Sequence, residues 1–136
     1  MLGKVFLGRR RLLTTTAATL ATPSIARAQQ VQRSSKASYS LRMLTLDLEQ
    51  PWGMAFLPDG RLLITERPGR LRIFANGRLE RAPVGGLPKV YARGQGGLLD
   101  ICLHPDFARN AQLYLTYSAE GEGGAATVLA RAEFRN

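Results

Sequence analysis

From Leu41 onward, apolar and polar positions change over in short runs rather than at a helical period. "WGMAFL" (52–57) is a brief apolar run closed by Pro58-Asp59-Gly60, a tight-turn signature. "RLLITER" (61–67) follows and ends at Pro68-Gly69. "RLRIF" (70–74) alternates charged and apolar residues, as a half-buried strand does, because successive side chains leave opposite faces of a sheet. Ala75-Asn76-Gly77 then turns the chain, since Asn-Gly supplies the positive φ values of a type I′ turn. Strands joined by loops this short must be antiparallel neighbours, because a parallel crossover needs many more residues. No stretch after residue 30 sustains a capped helical period, so the expectation is an all-β chain of about six or seven strands. Leu62, Ile64, Ile73, Leu99, Ile101, Leu113 and Leu115 are the expected core.

The pattern occurs twice. "WGMAFLPDGRLLIT" and "LDICLHPDFARNAQLYLT" each contain an apolar strand, Pro-Asp, and a second apolar strand ending in Thr. Pro58-Asp59 maps onto Pro105-Asp106 at an offset of 47. Thr65 maps onto Thr116 at an offset of 51, because the second copy carries four extra turn residues. "TVLARAEF" (127–134), after the turn "AEGEGGA", reads as the third strand of the second copy. A period in the high forties filled by antiparallel strands is the mark of β-propeller blades. A helical solenoid is excluded by the strand content; a sandwich stays open, but it would not require the same unit twice.

The first thirty residues break this pattern. "MLGKVFLGRRRLLTTTAATLATPSIARAQQ" has a basic start, a modestly apolar middle and small residues near its end. Leu12 to Thr22 is too short and Thr-rich to span a bilayer. Ala26-Arg27-Ala28 has the form of a signal peptidase site, and Arg9-Arg10-Arg11 before a weakly hydrophobic stretch suggests the twin-arginine route. The expectation is a signal peptide over residues 1–28, a flexible polar lead-in over 29–40, and a folded part over 41–136. Export places the product in the periplasm or outside the cell, with no membrane span after signal removal. A mitochondrial presequence, also Arg-rich and poor in acids, is the competing reading.

Charge changes the picture once this segment is set apart. The chain of 136 residues has a formal net charge of +9. Five of its 19 basic residues lie before residue 29 with no acid among them, which leaves 14 Lys and Arg against 10 Asp and Glu, a net +4. That is ordinary solubility charge, and no basic run with interleaved aromatics follows, so nothing points to nucleic acid. Cys102 is the only cysteine, so neither an intrachain disulfide nor a Cys-based metal cluster can form. Its apolar neighbours Ile101 and Leu103 suggest a buried thiol.

Three segments, "PWGMAFLPDGRLLITERPGRLRIF", "GLPKVYARGQGGLLDICLHPDF" and "LYLTYS", resemble in order the pyrroloquinoline quinone (PQQ) dependent soluble aldose sugar dehydrogenases of the glucose/sorbosone dehydrogenase family. The resemblance covers about residues 41–136. It implies a six-bladed propeller, of which these residues would form the first one to two blades. It also implies an oxidoreductase that oxidises aldose sugars with PQQ and calcium and passes electrons to an acceptor. By the same resemblance Gln95, in the Gly-Gln-x-Gly approach "ARGQGG", points into the cofactor site. An amide donates and accepts at once and can pair with quinone or carboxylate oxygens. The alternative role for Gln95 is to satisfy backbone groups of its own loop.

No catalytic residue and no metal ligand is assigned in this chain. The family's catalytic His belongs to a later motif, and His104 of "HPDF" reads as a turn or core histidine. Arg93 is a weaker candidate for an anionic cofactor than for a solvated loop. Asp100 either lines the channel or pairs with a neighbour, Trp52 reads as blade core, and Glu66-Arg67 reads as strand-end ion pairing. The expected function is that of an N-terminal fragment, itself inactive, of an exported PQQ-dependent sugar dehydrogenase. The alternative is a fragment of a non-enzymatic β-propeller that binds protein or carbohydrate.

Overall fold

The computed structural model describes residues 31–33 and 36–135. The signal peptide expected over residues 1–28 lies outside them. Two compact units divide at Leu41 and Arg42. In the first, within the segment expected to be a flexible lead-in, β1 (Val31–Arg33) pairs antiparallel with β2 (Ser38–Ser40).

The second unit contains two antiparallel sheets. The first has the order β3 (Pro51–Phe56), β4 (Leu62–Glu66), β5 (Arg70–Ala75) and β6 (Arg78–Leu79). The second has the order β7 (Leu98–Leu103), β8 (Gln112–Gly121) and β9 (Gly124–Glu133). Between β7 and β8 a four-residue helix, α1 (Phe107–Asn110), fills the longer turn of the second copy and ends at Ala111 in the left-handed region. Asn76 and Gly77 take φ of 51° and 76°, as the Asn-Gly turn requires. The turn expected over 119–125 is shorter: β8 and β9 pair as far as Gly121 with Gly124, and two residues close the hairpin.

Both offsets seen in the sequence reappear in the strand register. Pro51 pairs with Glu66, Met54 with Ile64, Ala55 with Leu63 and Phe56 with Leu62. Moving the first strand by 47 and the second by 51 gives Leu98 with Tyr117, Ile101 with Leu115, Cys102 with Tyr114 and Leu103 with Leu113, the observed pairs of the second sheet. The first strand of each sheet carries a bulge at the matching place, between Pro51 and Met54 and between Leu98 and Ile101. Each bulge is tied by the same bond. Gly53 N–H donates to Thr65 Oγ1 at 2.8 Å, and Asp100 N–H donates to Thr116 Oγ1 at 3.0 Å.

The sheets bury Leu57, Leu63, Leu71 and Ile73 of the first against Leu98, Ile101, Leu113 and Leu115 of the second. Each fully buried aliphatic side chain contributes about 1.5–3 kcal/mol. Thr65 is fully buried at this junction and donates its hydroxyl hydrogen to the Leu99 carbonyl across the sheets. Gly53 lies where a Cβ would stand 2.6 Å from Asp100 Oδ1 and 3.0 Å from its Cα, so this approach needs a residue without a side chain.

The bulges explain three departures from the sequence reading. An extra residue shifts the alternation, so Leu98 and Ile101 both face the core. Leu99 is therefore only half-buried, and Cys102, expected to be buried, is exposed on the other side of the second sheet. Trp52, expected in the blade core, is 55% exposed. It lines an apolar recess of about 370 Å³ on the outer face of the first sheet, with Leu44, Leu48, Met54, Leu62 and Ile64. The other six expected core residues are buried.

Candidate functional site

Residues 92–97 approach β7 at the end of the molecule where β3 and β7 begin. Tyr91 N–H donates to the Ser118 carbonyl at 2.7 Å, Gly96 N–H to the Arg93 carbonyl at 2.9 Å, and Leu98 N–H to the Arg67 carbonyl at 2.9 Å. Gly96 and Gly97 have no room for a side chain. A Cβ on Gly96 would stand 2.8 Å from the Tyr91 carbonyl oxygen, and one on Gly97 would run into Arg67 Cγ and the Arg67 carbonyl.

Gln95, the candidate cofactor contact, stands exposed between these closures. The loop carbonyls on either side of it are satisfied by another residue. Arg67 Nη1 donates to the Gly94 carbonyl and, at 3.3 Å, to the Gly96 carbonyl. Its Nε donates to Gln50 Oε1 at 2.8 Å. Arg67 thus leaves the strand-end ion pairing expected of it, and the sequence gives no cue, since its partners lie 27 and 29 residues away.

Glu66 keeps that ionic role alone. Its fully buried carboxylate takes Arg70 Nε at 2.6 Å, Arg72 Nη1 at 3.5 Å and the Glu49 N–H at 2.6 Å. Burial alone would push this carboxyl up. The Arg70 hydrogen bond, the Glu49 N–H and the two guanidinium charges outweigh it and hold the group below its ordinary value.

Arg93 is exposed, with its guanidinium 5.7 Å from the Tyr91 ring centroid. Asp100 is exposed too, and its Oδ1 accepts the Ile101 N–H at 2.9 Å, a contact within its own strand. His104 lies in the turn after β7: its Nδ1 accepts the Asp106 N–H at 2.9 Å and lies 3.0 Å from Asn110 Nδ2, and its ring stacks on Tyr114. Of the residues singled out in the sequence, Gln95 and Arg93 therefore share one loop, while Asp100 and His104 lie along β7 and beyond it. Among the described residues no group of three or more His, Cys, Asp or Glu side chains is placed to hold a metal ion.

The aldose sugar dehydrogenase of Escherichia coli K12 is 45% identical over 94 residues, covering 68% of this chain and 25% of that protein. A solved glucose dehydrogenase superposes with a TM-score of 0.66 at 45% identity, over 70% of this chain and 30% of that one. The PQQ-bound aldose sugar dehydrogenase of Streptomyces coelicolor does so with a TM-score of 0.52 at 30% identity, over 68% and 33%. The chain spans about a quarter of the length of the curated relatives it matches. The two sheets are blades of the β-propeller that these sugar dehydrogenases share. The glucose/sorbosone dehydrogenase profile matches residues 48–136, and the chain belongs to that family.

Proposed function

We propose that this chain supplies two blades of an exported oxidoreductase that oxidises aldose sugars, and that Gln95 contacts its PQQ cofactor. The observation that carries the reading is the state of the Gln95 loop. Its carbonyls are satisfied by Arg67, so Gln95 is not needed to close its own loop. An exposed amide on a tightly held loop fits quinone and carboxylate oxygens as a donor. The PQQ-bound relative supports the choice of cofactor. When bound, PQQ would supply the two-electron acceptor that no amino-acid side chain provides.

The calcium that accompanies PQQ in this reading would take ligands from outside the described residues. The same holds for the base that removes a sugar proton, because His104 Nδ1 is engaged in its own turn. The 136-residue chain by itself is therefore expected to be inactive. Export rests on Arg9-Arg10-Arg11 and Ala26-Arg27-Ala28.

The test is a PQQ titration, followed by fluorescence, of a longer chain that carries the remaining blades and of its Gln95→Ala variant, because binding by the 136-residue chain alone is not expected. The variant should bind more weakly by about 0.5–3 kcal/mol, the range for one lost hydrogen bond. Equal affinity in the two proteins would return Gln95 to the role of a loop residue. Dye reduction by the 136-residue chain with an aldose, PQQ and calcium should stay at the level of a cofactor-free control.

A further inference from the structure

Gln95 stands on a loop that no strand pairing holds. The two carbonyls flanking it converge on one guanidinium, that of Arg67. The same group reaches back to Gln50, the residue before β3, at 2.8 Å. The Arg67 main chain completes the frame: its N–H donates to the Gln50 carbonyl at 3.0 Å and its carbonyl accepts the Leu98 N–H at 2.9 Å. The half-buried side chain thus lies between the starts of β3 and β7 and the Gln95 loop.

The internal repeat marks this arginine as an addition. At the offsets of 47 and 51, Gln50 corresponds to Gly97 and Arg67 to Ser118. The main-chain bond is repeated, since Ser118 N–H donates to the Gly97 carbonyl at 2.8 Å. The guanidinium is not repeated, because serine has none. The second blade therefore shows that the strand-end bond forms without an arginine, and the side chain of Arg67 serves the loop instead. Only a planar fork can address Gly94, Gly96 and Gln50 together; a lysine ammonium is a single compact donor group.

We propose that Arg67 is the positioning residue for Gln95. It fixes the Gly94–Gly97 segment so that the Gln95 amide is presented to the cofactor in one place. This rests on the reading of Gln95 as a PQQ contact, and the two ideas fail separately.

The experiment uses the 136-residue chain as wild type, Arg67→Ala, Arg67→Lys and Arg93→Ala. Backbone order parameters and amide exchange are measured by NMR. In Arg67→Ala the order parameters of residues 94–97 should fall from about 0.85 to below about 0.6. Exchange there should rise at least about tenfold, which is 1.4 kcal/mol of local stability. The amides of Leu63 and Leu115 should keep their protection. Arg67→Lys should restore part of the order, and Arg93→Ala should leave the loop unchanged.

A loop as rigid in Arg67→Ala as in wild type overturns the proposal. So does a loss of protection that spreads through β4 and β8, which would make Arg67 a residue of the fold rather than of the loop. PQQ titration of Gln95→Ala, Arg67→Ala and the double variant, each in a longer chain that carries the remaining blades, adds the second readout. The double variant should bind no more weakly than Gln95→Ala. If it binds more weakly, Arg67 touches PQQ itself and the indirect role falls. If Gln95→Ala binds as wild type does, the cofactor reading fails and Arg67 positions no ligand.

Discussion

The two blades share a register residue for residue but present opposite faces to each other. In the first sheet the face of Ala55, Leu63 and Thr65 is covered, and the face of Met54, Phe56, Leu62 and Ile64 turns away from the second sheet. In the second sheet the equivalents of that outward face, Ile101, Leu103, Leu113 and Leu115, form the buried side. The equivalents of the covered face, Cys102, Tyr114 and Thr116, lie on the side away from the first sheet. One position thus has two environments within one molecule. The difference teaches that burial is decided by which neighbour is present, while the register, the bulge and the Thr bond belong to the blade itself.

The largest contrast concerns Glu66, whose equivalent in the second blade is the uncharged Tyr117. Glu66→Ala takes the carboxylate from Arg70 and Arg72, leaves Arg72 only the Glu80 carbonyl, and should cost about 3–5 kcal/mol in urea unfolding. The sign with pH follows from a carboxyl held below its ordinary value. Its contribution is complete above the unfolded value of about 4.3 and is lost as the pH falls through the folded one. Wild type should therefore lose stability with acid, and Glu66→Ala should lose less. Equal acid sensitivity would show that Glu66 does not carry the dependence.

Next in size is the pair Leu63→Ala and Tyr114→Ala, one template position in two settings. Leu63 is fully buried between the sheets and should cost about 2–5 kcal/mol. Tyr114 is only half-buried and should cost less than about 1 kcal/mol. Similar losses would mean that the outer side of the second blade is covered in solution.

The smallest contrast is Thr65→Val against Thr116→Val. The first leaves the Gly53 N–H and the Leu99 carbonyl without their hydroxyl partner at the junction and should cost about 1–3 kcal/mol. The second frees the N–H of exposed Asp100, which water can reach, and should cost about 0.5 kcal/mol. Thermal unfolding of both variants measures the gap.

Repeat, strand directions and most of the core were legible because each follows from local alternation and turn chemistry. The template "PDG" and "HPDF" located both copies to the residue. The environments of Leu99, Cys102 and Trp52 are hidden for one shared reason: a bulge changes the alternation without any residue that announces it. At the site, Gln95 was visible through its glycines and a family likeness. Arg67 was not, because its Gly94 and Gly96 partners meet it only once the two blades are packed. What singles out Gly97 as a glycine is likewise the backbone of Arg67, 30 residues earlier.

Trp52 and Cys102 have a practical use. The chain has one tryptophan and one cysteine. Trp52 lines the recess on the outer face of the first sheet, and Cys102 is exposed on the far side of the second. Each outer face therefore carries its own native reporter. A sheet laid over the first should shift the tryptophan emission to the blue, and one laid over the second should slow alkylation of the thiol. The two signals can be followed in one sample without an engineered label.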